Sequence, residues 1–390
     1  MSVAEEMPAP ESTDLAFGPP EAEAGGVLTI DLAAIEANWR NLRSLATPAE
    51  CGAVIKGDAY GCGIEPVAAL LSHAGCTTFF IADLSEAKRV RRIAPDATIY
   101  VLNGLMPGTA AVFAEHNIRP VIGNSAELAE WDGFVSANNW RGGMALHVDT
   151  GMNRLGVRVE EAEGIASRLQ SEHHGISLLM SHFVASEEPD NPVNNKQILL
   201  FREIRRMFRG VPSSLANSSG IFLGSAAFCD IVRPGVALYG GNPTPGRSNP
   251  MQPVIDLKAR VAQLRYVPAG ESVGYDAQWV AERASRVAII SVGYADGYPR
   301  SAGTVTGEMR GEALVAGRLC PFIGRVSMDL IAIDVTSLHE GAVQRGSLVT
   351  LIGEGLDLDD VAARAGTISY EILTRLGHRY ARIYRNSAGG

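Results

Sequence analysis

The stretch Ala53-Val54-Ile55-Lys56-Gly57-Asp58-Ala59-Tyr60-Gly61-Cys62-Gly63 joins a short apolar run to a lysine and then to three closely spaced glycines. Ala53–Ile55 reads as a buried strand. The glycines behind it mean that the chain turns sharply there and lets its backbone approach something closely. A lysine at the mouth of a buried strand loses hydration, so its pKa falls, and an unprotonated amine is a nucleophile toward aldehydes. Taken alone, the stretch is more simply a lysine that has left the sheet and reached water. The rest of the chain reverses that preference.

On both sides of this stretch a rhythm of short apolar runs and amphipathic segments begins at Leu28. The runs are Ala53–Ile55, Thr78–Ala82, Ile99–Leu102, Arg119–Ile122, Ala145–Val148, Leu178–Ser181, Ser214–Ala216 and Ile231–Val232. Between them lie helix-like stretches at Ile64–Ala74, Ser85–Ile93, Ser125–Val135, Glu160–Glu172 and Lys196–Phe208. The last keeps Ile198, Phe201, Ile204 and Phe208 at helical spacing. Ser85 and Ser125 are the expected N-caps. About eight strand–helix units predict an α/β fold, a closed (β/α)8 TIM-like barrel over residues 27–255.

Beyond residue 255 the rhythm changes. Ser285–Val292, Leu314–Val315, Leu330–Val335 and Leu348–Ile352 are β-rich and separated by glycine-containing turns. A mostly β C-terminal domain over 256–390 is expected, with one late helix at Leu358–Ala365 capped by Asp357. Residues 1–26 hold six acidic residues, four prolines and no lysine or arginine, the composition of a disordered acidic tail rather than a signal peptide.

With 390 residues and 46% hydrophobic content, the chain is long enough for two domains with sizeable cores. A net charge of −9 argues against nucleic acid or an anionic membrane surface as partner. No apolar run reaches membrane-spanning length. The five cysteines fit neither a metal cluster nor a disulfide framework, so a reducing cytoplasm is the simplest setting.

In a barrel of this kind chemistry sits at the C-terminal strand ends. Lys56 closes the first strand. Asp149 and Arg154 follow the fifth, His182 closes the sixth, Asn217, Ser218 and Ser219 the seventh, and Arg233 the eighth. Any one of these is more often structural than functional, but five strand ends carrying such groups point to one site. The seventh and eighth strand ends are the usual phosphate position. Ser218 offers a hydroxyl there, and the turn Pro234-Gly235-Val236 offers backbone N–H groups. A lysine opposite a phosphate cradle is the layout expected for pyridoxal 5'-phosphate (PLP).

Val54-Ile55-Lys56-Gly57-Asp58-Ala59-Tyr60-Gly61 resembles the PLP-lysine motif of the alanine racemases. Further stretches match that family in its order: Asp149–Gly156, Asn217-Ser218, Val232–Gly235, Leu238–Gly240, Gly293–Gly297, Gly324–Asp329 and Thr367–Glu371. The resemblance covers about residues 28–385. It implies a PLP barrel followed by a β domain, in a homodimer whose sites are shared, with Lys56 holding the cofactor. Tyr60, Ser218, Gly235, Val236 and Tyr370 would hold its phosphate. Arg233 would face its pyridine nitrogen, and Arg154 its phenolic oxygen and the substrate carboxylate. Tyr294, Met328 and Asp329 would arrive from the partner chain, with His182 beside Tyr294.

Racemisation removes a proton from one face of Cα and returns one to the other, which calls for two bases. Lys56 and Tyr294 suit those faces. An arginine at the pyridine nitrogen makes the ring a weaker electron sink than a carboxylate would, which suits reversible proton exchange. The alternatives are a broader amino-acid (serine) racemase, a related barrel-type PLP decarboxylase, and a PLP carrier without turnover. The chain departs from the family at His147, which stands where most members have a lysine, often carbamylated, and at Gly57 and Cys62. By strand alternation His147 shares a face with Asp149, so Asp149 or a bound anion is expected to orient Arg154. The resemblance further implies a cytoplasmic enzyme supplying D-alanine for peptidoglycan.

Overall fold

The computed structural model describes residues 18–170, 175–304 and 308–385, in two compact units. The first unit runs from Leu32 to Val254. Seven parallel strands follow one another in sequence order around its sheet: Ala53–Val54, Thr78–Ile81, Thr98–Val101, Arg119–Ile122, Met144–His147, Ile176–Met180 and Ser213–Ser214. An eighth, Ile231–Val232, closes the ring. On one side it pairs in parallel with Glu50–Cys51, and Gly52 N and Val54 N donate to Val232 O and Pro234 O at 3.0 and 2.9 Å. On the other, Asp230 N and Arg233 N reach Ser213 O and Ala216 O, both at 2.9 Å. The result is the expected eight-stranded TIM-like barrel, and its strands are short because only the central few residues of each are buried on both faces.

The helices pack by the spacing read from sequence. Ile35, Trp39 and Leu42 bury one face of Leu32–Ala46, and Gln197, Phe201 and Ile204 one face of Pro192–Met207. Ile64–Ala74 has the expected bounds. The caps differ from expectation. Asp83 and Asn124, not Ser85 and Ser125, accept the N–H of Glu86 and Glu127. Asp83 and Asn124 have the extended backbone of an N-cap, one residue before each helix starts, and Ser85 instead donates to Asp83. The helix expected over Glu160–Glu172 is an α-helix at Val159–Ala166 followed by a 3-10 turn at Ser167–Gln170; Glu172 lies outside the described residues.

The second unit comprises the described residues up to Asp31 together with Ile255–Arg385. The long strand Ile255–Val267 organises it. Along Ile255–Val261 buried residues alternate with half-buried Asp256, Lys258 and Arg260, the signature of a strand with one face in the core. Antiparallel pairings run through Leu348–Ile352, Glu312–Val315, Arg318–Ile323, Ile331–Asp334 and Ser285–Ile290, and the last returns to Ile255–Val267 to close the sheet. Two strands are added outside, Gly26–Asp31 and its parallel neighbour Ala381–Arg385. The expected boundary is therefore corrected. Gly26–Asp31 is not the start of the barrel, because its hydrogen-bond partners are Ile255–Ala259 and Ala381–Arg385.

The acidic tail is corrected as well. Residues 18–25 form a turn in which Arg260 donates to Glu21 O and Ala24 O. Residues 1–17, the rest of the expected disordered segment, lie outside the described residues. The late helix is Leu358–Arg364, flanked by Asp357 without a side-chain cap bond. Among the described residues no helix is long and apolar enough to cross a membrane.

Candidate active site

The C-terminal ends of the barrel strands bring the expected residues together. Lys56 follows the first strand and opens an unusual segment. Gly57, Asp58, Ala59 and Tyr60 have φ of 65°, 53°, 53° and 52°, so the chain makes one left-handed helical turn. Three of the four are not glycine, and each such residue costs about 1–2 kcal/mol. The turn is held from within by Gly61 N to Gly57 O and Gly63 N to Asp58 O, at 2.8 and 2.9 Å. It is held from outside by Asp58. Its N–H donates to Glu86 Oε1 at 2.7 Å, and its Oδ1 accepts from Ile64 N and from Arg89, which also pairs with Glu65. Lys56 itself keeps part of its surface exposed. Desolvation lowers its pKa, the Arg154 charge lowers it further, and Glu86 opposes both.

The fifth strand ends at buried His147. Burial and the charge of Arg233 push its pKa down to about 4, so it is neutral near pH 7. Asp149 does not orient Arg154. Its carboxylate accepts the N–H groups of Gly151, Met152 and Asn153 at 2.8–2.9 Å and so shapes its own loop. Arg154 stands exposed, without a carboxylate partner among the described residues. A neutral histidine cannot supply the missing anion.

Arg233 is 3% exposed. It donates to Ser214 Oγ, to Ser181 O at 2.6 Å, and to His182 Nδ1 and Leu215 O at 3.4 Å. None of these bonds uses its Nε–H. Burial lowers its pKa to about 10, so it stays a cation. Its charge, behind desolvation, holds His182 well below the usual imidazole range. The His182 backbone is fixed by Gln197, which donates to His182 O and Thr150 Oγ, while Thr150 and Ser181 share a 2.7 Å bond.

At the seventh and eighth strand ends, Ser218 Oγ accepts from Gly235 N at 2.9 Å and Ala237 N at 3.3 Å. This links two expected phosphate groups directly. Val236 starts the following 3-10 turn. A Cβ on Gly235 would stand 2.4 Å from the Tyr60 hydroxyl oxygen, so only glycine lets that ring in. Tyr60 stacks on Tyr239 with centroids 4.7 Å apart. Sequence reasoning placed Ser219 at this strand end without a role. Its Oγ is buried and has no hydrogen-bond partner among the described residues.

The remaining expected residues lie in the β unit. Tyr294 N and Ala295 N donate to Ser327 O and Met328 O at 3.0 and 2.9 Å, which sets Tyr294 beside Met328. Tyr294 is 40% and Met328 53% exposed. Buried Asp296 holds this turn: Oδ2 accepts Gly293 N at 2.8 Å, Oδ1 pairs with Arg379 at 3.1 Å, and Arg379 also binds Asp329. Tyr370 sits on the short helix Ser369–Thr374. Asp296 and Glu86 were missed in the sequence. Glu86 falls three residues after Asp83, the spacing of an ordinary helix cap.

Residues 30–243 match the alanine racemase N-terminal domain family and residues 254–384 the C-terminal domain family. An alanine racemase of Methylobacterium nodulans is 54% identical over 360 residues, 92% of this chain and 96% of the relative. A catabolic alanine racemase of Rhizobium johnstonii is 44% identical over 364 residues, 93% and 95% of the two chains. The solved alanine racemase of Bartonella henselae, with covalently bound pyridoxal phosphate, superposes with a TM-score of 0.88 at 37% identity, covering 93% of this chain and all of that one. A barrel with Lys56 at its mouth, a β unit carrying Tyr294, and these likenesses over nearly the whole chain lead to one conclusion: the chain belongs to the alanine racemase family.

Proposed function

We propose that the protein interconverts L- and D-alanine with PLP as cofactor, and that Lys56 and Tyr294 are its two proton-transfer groups. The residues present suit that cofactor. A buried serine hydroxyl without a partner, Ser219, stands next to the Ser218–Gly235 pair, and Arg233 keeps its Nε–H unused. Lys56 would hold the cofactor covalently; Tyr60, Ser218, Gly235 and Val236 would hold its phosphate with Tyr370; Arg233 would serve the pyridine nitrogen, and His182 the ring. When bound, PLP supplies the electron delocalisation that makes the substrate Cα–H acidic.

The chain's own residues do the rest. Arg154, exposed and without a carboxylate partner among the described residues, binds the substrate carboxylate. Lys56, its pKa lowered by burial and Arg154, moves a proton at one face of Cα. Tyr294 moves a proton at the other. It comes with Met328 and Asp329 from the second chain of a homodimer, a reading supported by the exposure of Tyr294 and Met328 on neighbouring segments. Arg233, cationic and anchored by carbonyl groups, would keep a bound pyridine ring from being a deep electron sink, which would favour proton return over side reactions. We assign the enzyme to the cytoplasm, where it supplies D-alanine for peptidoglycan.

The observation that carries this reading is Lys56, depressed in pKa, on the first strand end of a barrel whose seventh and eighth ends form a serine–glycine cradle. The test is to incubate purified protein with L-alanine and with L-serine separately and resolve the enantiomers. D-alanine forming far faster than D-serine supports the reading. Equal rates point to a broad racemase, and release of CO2 to a decarboxylase.

A further inference from the structure

The left-handed turn behind Lys56 is strained, yet its anchor lies outside the residues that the two-base reading uses. Asp58 N–H is one of the first donors of that turn, and no carbonyl within the turn reaches it. Glu86, in the first turn of the helix after the second strand, accepts it with Oε1 at 2.7 Å. Its other oxygen, Oε2, is buried without a hydrogen-bond partner among the described residues. A helix surface gains nothing from a carboxylate held this way, because an unpaired buried oxygen is costly. We propose that Glu86 is a positioning residue of the site: its carboxylate pins the turn that presents Lys56 and sets the charge state in which that lysine meets an aldehyde.

The surrounding charges support both roles. Lys56 faces Arg154 from the loop after the fifth strand and His182 from the sixth, and Glu86 is the anion that opposes Arg154. Desolvation raises the Glu86 pKa most; Asp83 at the start of its helix and Asp58 from the turn raise it further, against the backbone amides of Asp58 and Ala82. Arg89, one helical turn further on, does not neutralise it, being spent on Asp58 and Glu65. The turn therefore has two distinct clamps: Glu86 on the Asp58 amide, and Arg89 with Ile64 N on the Asp58 carboxylate.

The inference rests on the reading of Lys56 as the PLP lysine, and its test separates the two. Full-length wild type, Glu86→Gln and Glu86→Ala, each freed of cofactor, are mixed with PLP between pH 6 and 10 and quenched with borohydride at timed intervals. The adduct on the Lys56 peptide is then quantified by mass. Gln keeps an acceptor for the Asp58 amide but loses the charge. E86Q should reach the wild-type endpoint with the midpoint of its pH–rate curve moved down by about half a unit or more, because an anion near an amine favours its protonated form. E86A should show the same shift and trap at least about tenfold more slowly at every pH, as expected for loss of a charge-assisted hydrogen bond. If E86A does not fold, the E86Q curve alone decides. An E86Q curve superposed on wild type overturns the charge role, and wild-type trapping in E86A overturns the pinning of the turn. Absence of any Lys56 adduct in the wild type overturns the reading beneath it, and this inference with it.

Discussion

Replacing Asp296 tests whether the Tyr294 turn is held as the structure indicates. Asp296 is 3% exposed, accepts the Gly293 amide at 2.8 Å, and pairs with Arg379. Alanine removes a charge-assisted bond and leaves a buried N–H unpaired, a cost of about 2–4 kcal/mol. Asparagine keeps an acceptor for Gly293 and loses only the contact to Arg379. That side chain is 55% exposed, so the contact is worth about 1 kcal/mol or less. The charge itself adds no stability near pH 7. Burial raises the Asp296 pKa above its ordinary 3.8, outweighing the Gly293 bond and Arg379. For an acid with a raised folded pKa, the favourable contribution exists below the unfolded value and is lost as pH rises through the folded one. At neutral pH the carboxylate is therefore already in its less favoured state, and Asn is tolerated.

The assay is native-state hydrogen exchange of the segment 293–298, because a two-unit chain has no single unfolding free energy. Asp296→Ala should lower protection there by roughly 30- to 900-fold, the equivalent of 2–4 kcal/mol, and reduce kcat at least tenfold. Asp296→Asn should stay within about fivefold in protection. Wild-type protection in the alanine variant, or equal damage in both, refutes the reasoning.

His147 gives a pH prediction. Its folded pKa is depressed to about 4, so the unfolded chain binds a proton between pH 6.5 and 4 that the fold does not, and stability falls as pH falls through that window. Between pH 7 and 5, wild type should lose about 2 kcal/mol more than His147→Gln. Urea unfolding followed by the buried barrel tryptophans Trp39 and Trp131 checks it; parallel pH dependence would exclude His147 as a source. Gly297→Ala should cost most of the activity, since φ is +91° and the new Cβ would stand 1.7 Å from Arg375 O. Gly75→Ala, at φ +101° with nothing within 4 Å, is the control and should express and turn over normally, at a cost of about 1–2 kcal/mol in stability.

Much of the barrel was legible because parallel strands buried on both faces write themselves as apolar runs. Leu348–Ile352 and Ile231–Val232 also stand where the sequence put them. Gly26–Asp31 misled because a strand followed by the helix Leu32–Ala46 looks like one more barrel unit; only pairing with residues more than 200 positions away assigns it elsewhere. The residue types at the strand ends were readable from chain order. Their partners were not. Asp149 spends its carboxylate on its own loop, and Ser218 takes the Gly235 amide. Nothing in Asp58-Ala59-Tyr60 announces a left-handed turn, since the residues that offset its strain, Glu86 and Arg89, come from a helix some thirty positions on.

The enzyme's central task is proton movement at both faces of one carbon. The direct measurement is alanine turnover in D2O by wild type and Tyr294→Phe, started from each enantiomer, with Cα deuterium and chirality read together. The account predicts that the variant keeps its covalently held cofactor and still exchanges the proton of one enantiomer, while inversion falls by orders of magnitude. Inversion at the wild-type rate from both enantiomers would contradict it.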